Sequence, residues 1–214
     1  MIPRIIHQIW VGPHPKPAKL MQTWRDKHPG YEFKLWGNEE VAALDGGIER
    51  LIGQMWGAER WHGVADLVRY AVLYEHGGFA APADSECLQP IDDLLHLGCF
   101  ACYENEDYRP GLVSPHLGVC PQDRLMAAIL RQLQLTESVL DGDPWMVTGN
   151  GLLTRTIEQL NYKSITILPS YTFIPEHYEG TKYEGPGKVY ARHYWGTTHH
   201  IEAQLDSVLE CKSC

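Results

Sequence analysis

Apolar and polar residues alternate in blocks along the N-terminal part of the chain. Residues 5–11 form a nearly continuous apolar run, which predicts a buried strand, and Gly12 with the prolines after it ends that run. The pattern next predicts a helix over 18–27, a strand over 31–36 and a helix that opens with Asn38 as its N-cap. This β-α-β-α order predicts an α/β fold with a mostly parallel central sheet.

The middle of the chain predicts an amphipathic helix that ends at a pair of glycines. Apolar residues recur at helical spacing over 64–73, and Gly77 or Gly78 supplies a left-handed C-cap. Residues 170–187, rich in Tyr, Gly and Pro, predict a loop or lid near the site, before a last strand at 188–194 and a short C-terminal helix. Other strands are predicted at 98–103, 112–119 and 164–168, and other helices at 122–135 and 151–160.

Two carboxylates, Asp84 and Glu86, follow the short apolar strand predicted after Gly78. Ligands of α/β sheets bind beyond the carboxyl ends of the strands, and carboxylate oxygens suit Mg²⁺ or Mn²⁺. A solvated acidic turn that caps a strand would carry the same residues. Chemistry alone therefore leaves a metal site and a plain turn equally open.

Composition and charge narrow the class of protein. A chain of 214 residues with 44% hydrophobic and 21% charged residues predicts one globular domain over 1–214. The formal charge of −9 argues against nucleic acid as a partner, and an anionic ligand would need local positive charge. No signal peptide and no apolar span of membrane length is evident, which predicts a cytoplasmic protein without an anchor. The abrupt end after Cys214 leaves open a domain cut from a longer protein.

Six cysteines include two Cys-x-x-Cys pairs, Cys99 with Cys102 and Cys211 with Cys214. The first pair lies in a predicted strand, where positions i and i+3 face opposite sides of a sheet. The second pair lies in a short C-terminal tail. Reduced thiols are therefore expected in preference to a zinc site or a disulfide.

The segment 64–95 also matches a known motif. The segment resembles the pattern Ser-Asp-x-x-Arg-Tyr, then Gly-Gly-x-Tyr-x-Asp-x-Asp, then x-Glu-x-Leu-x-Pro-Leu. This is the pattern of the glycosyltransferase family named for its Asp-x-Asp sugar-binding motif, and the chain resembles that family. Segments 2–10, 31–36 and 193–197 are similar to its other landmarks. The motif positions matched without a gap are Asp66, Arg69, Tyr70, Gly77, Gly78, Asp84, Glu86, Leu88 and Pro90.

Three positions depart from the family pattern. Ala65 replaces the usual Ser, Ala80 replaces the usual Tyr, and Pro82 stands where the first metal-site Asp belongs. The family includes the yeast initiating α-1,6-mannosyltransferase and the glycosyltransferase domains of large clostridial toxins. The compact size is also similar to glycosyltransferase domains encoded by large algal viruses, which would place the protein in the host cytoplasm.

The resemblance implies a GT-A type, Rossmann-like α/β/α sandwich. It implies metal-dependent transfer of a hexose from a nucleotide-diphosphate sugar to a glycan acceptor with retention, using Mn²⁺ or Mg²⁺. A UDP-sugar is the favoured donor, with GDP-mannose and dTDP-rhamnose open. The metal ligands expected are Asp84, Glu86 and His193, and the catalytic residues are Asp66, Arg69 and Asp84. The donor contacts expected are His7, Gln8, Trp10, Trp36, Asp66, Arg69, Pro82, Asp84, Trp195, Gly196 and Thr197.

Each of these assignments has a structural alternative. Asp66 and Arg69, three residues apart on a helix, would also form a surface ion pair worth about 0.3 kcal/mol. Trp10 and Trp36 would stack on a nucleotide base or pack in the core. Residues 148–151 resemble a family landmark on the acceptor side, with Asn150 in place of Pro. At the level of function, a non-catalytic nucleotide-sugar or glycan-binding module and a nucleotide-sugar hydrolase are the alternatives.

Overall fold

A six-stranded sheet forms the centre of the molecule in the computed structural model, which describes residues 1–209. Its strands are β1 (Ile5–Ile9), β2 (Glu32–Trp36), β3 (Gly78–Ala80), β5 (Cys99–Asn105), β6 (Arg109–Val119) and β7 (Thr166–Leu168). They are ordered β2-β1-β3-β6-β5-β7, and β6 runs antiparallel to both its neighbours while the other pairings are parallel. The predicted α/β fold with a mostly parallel sheet is confirmed. Strands β4 (Ser85–Cys87) and β8 (Ala191–His193) form a separate antiparallel pair.

The helices cover the sheet and follow most of the predicted bounds. They are α1 (Ala18–Lys27), α2 (Asn38–Ala42), α3 (Glu49–Gly57), α4 (Trp61–His76), α5 (Arg124–Leu135), α6 (Pro144–Val147), α7 (Asn150–Gln159) and α8 (Gly196–His199). Short 3₁₀ turns lie at Asp92–Leu97, Ser170–Thr172 and Glu202–Ser207. Helices α3 and α6 were not predicted: α3 contains two glycines, which weaken the helical pattern, and α6 is a single turn that begins at Pro144.

The hydrophobic core lies in two parts, one on each face of the sheet. Along β5, successive side chains alternate between them: Cys99 and Ala101 pack on the face covered by α4, and Phe100 and Cys102 on the opposite face. The expectation that Cys99 and Cys102 face opposite sides is therefore confirmed. Burial raises the pKa of both thiols, which keeps them protonated. The pair Cys211 and Cys214 lies outside the described residues.

Two glycines allow α4 to turn directly into β3. Gly77 is the C-cap of α4, as predicted, but with φ +63° and ψ −158° it does not adopt the left-handed helical conformation that was expected; a Cβ there would lie 2.6 Å from the backbone nitrogen of Pro121. Gly78 has φ +97°, and its Cβ would lie 2.6 Å from the carbonyl oxygen of Ile5. Only glycine fits both the positive φ and the close approach to β1. The tight turn places the carboxyl end of β3 beside that of β1.

The predicted N-cap at Asn38 is wrong. Gly37 is the N-cap of α2, and the Glu40 carboxylate accepts a hydrogen bond from the Gly37 N–H at 3.0 Å. The Asn38 side chain instead accepts from the Gly12 N–H at 2.9 Å and donates to the Gly12 carbonyl at 3.2 Å. This pair of bonds fixes the loop that follows β1, where a Cβ on Gly12 would lie 2.8 Å from the Trp61 ring.

Residues 170–187 are largely irregular, as predicted, and they are held by packing. The Tyr171 and Tyr183 rings stack with centroids 3.9 Å apart, and an isolated bridge joins Glu176 to Lys182. His177 is almost fully buried. Within residues 1–209, no helix combines the length and the apolar content needed to span a bilayer.

Candidate active site

A cavity of about 610 Å³ opens where the parallel strands β1 and β3 end. Its walls come from the end of β1, α4, the connection between β3 and β4, the strands β5 and β6, α6, and the segment after β8. Its volume lies in the range of sites that enclose a small molecule. The expected site residues that line it are Trp10, Asp66, Arg69, Pro82, Asp84, His193, Trp195 and Thr197.

Asp84 lies in the connection between β3 and β4 and is held by the C-terminal part of the chain. Its Oδ1 lies 3.1 Å from Nε2 of His193, and its Oδ2 accepts a hydrogen bond from the Gly196 N–H at 2.9 Å. Burial would raise the pKa of Asp84, but His193 and the Gly196 N–H outweigh burial and lower that pKa to about 2. The cavity therefore contains an ionised carboxylate with a fixed orientation.

The pair of Asp66 and Arg69 in α4 is not a surface ion pair. The two side chains meet at 2.6 Å, and each is only 12% exposed. The Thr148 hydroxyl donates to Oδ2 of Asp66 at 3.3 Å, so the carboxylate is held from two directions. Gly149 approaches the same oxygen so closely that a Cβ there would lie 2.7 Å from it. The arrangement presents a carboxylate and a guanidinium together at the cavity wall.

Glu86 lies within the β4–β8 pairing and, unlike Asp84 and His193, not at the cavity. It lies in the middle of β4, opposite Arg192, and its carboxylate accepts a hydrogen bond from the Tyr194 hydroxyl at 2.8 Å. It is not among the residues that line the cavity. Residues 1–209 contain no group of three His, Cys, Asp or Glu side chains arranged to hold a metal ion. Of the expected metal ligands, the fold brings together Asp84 and His193 only.

Three of the expected donor contacts, His7, Gln8 and Trp36, are not part of the cavity lining. His7 and Gln8 are fully buried inside β1, and Trp36 donates a hydrogen bond to Nδ1 of His7 at 3.1 Å. The other ring nitrogen of His7, Nε2, bonds the Gly77 carbonyl at 2.8 Å, and burial lowers the pKa of His7 to about 4, so the imidazole is neutral. None of the three lines the cavity, because they precede or flank the end of β1. Their roles in donor binding remain predictions.

The remaining expected donor contacts either line the cavity or bond to a residue that lines it. Trp10, which directly follows β1, lines it, and so does Trp61, which sequence reasoning did not single out. Trp195 and Thr197 line it from the segment after β8. Gly196 contributes through the N–H that Asp84 accepts.

Sequence reasoning also missed a buried carboxylate, Glu104, in the cavity wall near the end of β5. Its side chain is 5% exposed, it accepts a hydrogen bond from the Asn150 amide, and its Oε1 lies 3.5 Å from Nε of Arg109. In the sequence, the acidic run 104–107 resembles a solvated turn. Strand alternation along β5 was the one signal that could have placed Glu104 inside.

Comparisons with known proteins show that part of the chain is similar to a family. Residues 15–101 match the family described as "Glycosyltransferase sugar-binding region containing DXD motif". The resemblance inferred from the motif is thereby confirmed for that segment.

Relatives named as glycosyltransferases come from two sources. Inositol phosphoceramide mannosyltransferases 3 and 2 of Schizosaccharomyces pombe are 35% identical over 107 residues and 31% identical over 108 residues. These matches cover 44% and 45% of this chain but only 28% and 29% of the yeast proteins. Uncharacterized glycosyltransferase L373 of Acanthamoeba polyphaga mimivirus is 24% identical over 145 residues, which are 64% of this chain and 58% of the viral protein.

A solved structure, "PaToxG Glycosyltransferase", shares the fold. It superposes with a TM-score of 0.61 over 74% of this chain and 70% of its own, at 14% sequence identity. At that identity the similarity concerns the fold alone. The expected GT-A-like architecture is confirmed.

Proposed function

We propose that this chain transfers a hexose from a nucleotide-diphosphate sugar to a glycan acceptor, because residues 15–101 match the family described as "Glycosyltransferase sugar-binding region containing DXD motif". One observation carries the proposal: two separately anchored carboxylates, Asp84 beside His193 and Asp66 beside Arg69, line one cavity at the carboxyl ends of β1 and β3. This is where α/β sheets bind nucleotide ligands. The mannosyltransferase names of the yeast relatives support a hexose as the transferred group.

Asp84 is the residue best suited to a divalent cation, because its lowered pKa keeps the carboxylate ionised. His193 offers a second ligand atom, and residues 1–209 supply no third side chain of the usual types. Two protein ligands fit a cation that is held jointly with the donor's phosphates and not by the protein alone. When bound there, Mn²⁺ or Mg²⁺ stabilises the negative charge that grows on the leaving diphosphate.

Asp66 and Arg69 position the donor. The Asp66 carboxylate accepts hydrogen bonds from sugar hydroxyls, and the Arg69 guanidinium offers a planar pair of donors and a full charge to sugar or phosphate oxygens. Their mutual contact at 2.6 Å holds both in one orientation before the donor arrives. Trp10 and Trp61 give the cavity aromatic surface on which a nucleotide base can stack.

The proposed stereochemical course is retention. The acceptor hydroxyl attacks the anomeric carbon of the donor sugar from the face that the diphosphate leaves. The proton of that hydroxyl passes to the departing phosphate oxygen. This course needs the carboxylates only for binding and orientation. It therefore agrees with Asp84 and Asp66 each being engaged by a basic partner.

The proposal is tested with a panel of nucleotide sugars, each with and without Mn²⁺. UDP-hexoses form the first arm, and GDP-mannose and dTDP-rhamnose form the others. The expected result is a rise in melting temperature with one donor class, larger when Mn²⁺ is present, and release of the nucleotide diphosphate. A chain that binds and cleaves none of these donors contradicts the proposal.

A second function, a non-catalytic nucleotide-sugar or glycan-binding module, is favoured by Pro82. This residue stands where the family has its first metal-site Asp, and it lines the cavity beside Asp84. The same panel separates the alternatives. Donor binding without release of nucleotide supports the binding module, and release of nucleotide without transfer to any glycan supports a hydrolase.

A further inference from the structure

A second group of side chains lines the same cavity and takes no part in the contact between Asp84 and His193. We name it the Glu104 cluster and define it as Glu104 in β5, Arg109 in β6, Trp145 in α6, Asn150 in α7 and Tyr178 in the segment 170–187. Five separate parts of the chain thus converge on one wall of the cavity.

Glu104 is the centre of the cluster. The residue is 4% exposed, and its Oε2 accepts a hydrogen bond from the Asn150 amide. Its Oε1 lies 3.5 Å from Nε of Arg109 and 3.6 Å from Nε2 of His177, and it has no hydrogen-bond partner within residues 1–209. A buried carboxylate oxygen without a hydrogen bond is costly, and a ligand hydroxyl would remove that cost.

The cluster carries no net charge. The Arg109 guanidinium offsets the Glu104 carboxylate across 3.5 Å. Burial lowers the pKa of His177 although Glu104 acts in the opposite direction, so the imidazole adds no charge at neutral pH. A cavity wall of this kind offers hydrogen-bonding groups but no net charge that would attract an anionic or a cationic ligand.

An exposed aromatic ring completes the cluster. Trp145 is 36% exposed although it lines the cavity, and the Arg109 guanidinium covers part of its ring at 4.4 Å from the centroid. The Tyr178 ring lies nearby against Trp195, edge to face at 5.0 Å. A sugar ring has an apolar face of C–H groups and an edge of hydroxyls. The Trp145 indole matches the apolar face, and the anchored carboxylate, amide and guanidinium beside it match the hydroxyls.

We infer that the Glu104 cluster is a subsite for a neutral sugar ring, the part of the acceptor that receives the transferred hexose. The inference rests on the proposed function, which assigns the donor to the region of Asp66 and Asp84. The two regions are joined directly, since Thr148, between Trp145 and Asn150 in the chain, donates to Asp66 at 3.3 Å. A sugar on the Glu104 cluster therefore lies next to the donor.

The test measures binding of two probes, methyl α-mannopyranoside and methyl α-glucopyranoside, by saturation-transfer NMR. Trp145→Ala should weaken binding of the better probe about tenfold, and Trp145→Phe should retain most of it, because a smaller aromatic face remains. Met146→Ala is the matched control. Met146 lies in the same helix and is 42% exposed, but it does not line the cavity, so binding should be unchanged.

A third probe tests the charge of the subsite. Methyl α-glucuronide should bind no better than methyl α-glucopyranoside, since the cluster carries no net charge. Tighter binding of the glucuronide would overturn the inference of a neutral ring. Absence of binding by both neutral probes, or equal binding by wild type and Trp145→Ala, would overturn the subsite itself.

Nucleotide release is measured on the same samples, so that the two proposals fail separately. With a cleaved donor, Trp145→Ala and Glu104→Gln should lower the ratio of transfer to hydrolysis at a fixed probe concentration. If the wild type cleaves the donor but the probes do not bind, the subsite is wrong and the proposed function stands. If the probes bind and no donor is bound or cleaved, the proposed function is wrong, and the Glu104 cluster stands as a site for a neutral sugar ring but not as an acceptor subsite.

Discussion

Asp84 and His193 lie 109 positions apart in the chain and meet at 3.1 Å in the cavity. The same carboxylate also accepts the Gly196 N–H at 2.9 Å, so two residues of the segment 193–196 orient this functional group. The Asp-x-Asp motif lies in residues 64–95, and both of these contacts, which orient the Asp84 carboxylate, come from outside it.

Asp84→Asn should reduce nucleotide release by at least about a hundredfold, because the amide has the same shape but no charge to hold a cation or to balance the site. Glu86→Gln is the control, since Glu86 lies two residues away in β4 and does not line the cavity. Its activity should stay within a few fold of wild type. Equal Mn²⁺-dependent activity in Asp84→Asn and wild type would remove Asp84 from the site.

Arg69→Ala should raise the KM for the donor and lower kcat together, because phosphate charge increases toward the transition state. Arg4→Ala removes a cation from an exposed ion pair with Asp92, in which the Arg4 side chain is 63% exposed. The kinetics of this control should match wild type. Steady-state kinetics and the melting temperature are measured for both variants. If Arg69→Ala changes the melting temperature alone, the role of Arg69 is structural.

Pro82→Asp should strengthen Mn²⁺ binding in the absence of nucleotide and increase turnover, since position 82 lines the cavity beside Asp84. The turn itself should survive, because the Pro82 carbonyl, which any residue retains, accepts the Ser85 N–H at 3.1 Å. Calorimetric titration of Mn²⁺ measures the affinity, with Pro82→Ala as the control for loss of the ring. If Pro82→Asp and Pro82→Ala bind Mn²⁺ alike, the side chain at position 82 does not reach the ion.

Gly149→Ala should lower activity although it removes no functional group. The new Cβ would lie 2.7 Å from Oδ2 of Asp66, and it would also meet the Trp145 backbone at 3.1 Å, so the carboxylate must move. We expect a loss of about tenfold or more in kcat/KM, because small displacements of positioned groups are costly in catalysis. Gly30→Ala is the control, since a Cβ there meets nothing within 4 Å. Equal kinetics in the two variants would mean that Asp66 is not a donor ligand.

His7 should make stability depend on pH. Its pKa of about 4 in the folded protein lies below the value of about 6.5 expected for the unfolded chain. The unfolded chain therefore takes up the proton first as the pH falls. The contribution of neutral His7 is complete above pH 6.5 or so, and it decreases by at most about 3 kcal/mol between pH 6.5 and pH 4.

Urea unfolding of wild type and His7→Gln isolates this effect. The variant should be less stable at pH 7.5, because it loses the pairing of the imidazole with Trp36 and the Gly77 carbonyl. The gap in unfolding free energy should shrink by about 2 kcal/mol by pH 5. A gap that stays constant would mean that His7 titrates alike in both states.

The sequence predicted most of the fold because its signals are local. Apolar runs and helical spacing predicted α1 to the residue and β1 to within two residues, and Gly77 marked the end of α4, which begins three residues before the predicted apolar pattern. The failures have physical causes as well. The Asn38 side chain was expected to cap α2, but it found partners in the Gly12 backbone instead.

The site was predicted only where a motif marks it. Asp66, Arg69 and Asp84 stand in the matched motif and line the cavity. Glu104 and Trp145 carry no such mark: the first stands in an acidic run, and the second in a single helical turn. Strand alternation along β5 could place Glu104 on a buried face, but its convergence with Trp145 on one cavity depends on tertiary packing, which neither periodicity nor composition encodes.

The pairing of β4 with β8 makes the site a late product of folding. Joining Ser85 to His193 closes a loop of more than a hundred residues, and such contacts form after local helices and neighbouring strands. During synthesis, the ribosome must release the chain beyond Gly196 before Asp84 gains its partners. A nascent chain can thus carry the complete motif 64–95 without the contacts that orient Asp84, and the site forms only after the segment that includes Gly196 has left the ribosome.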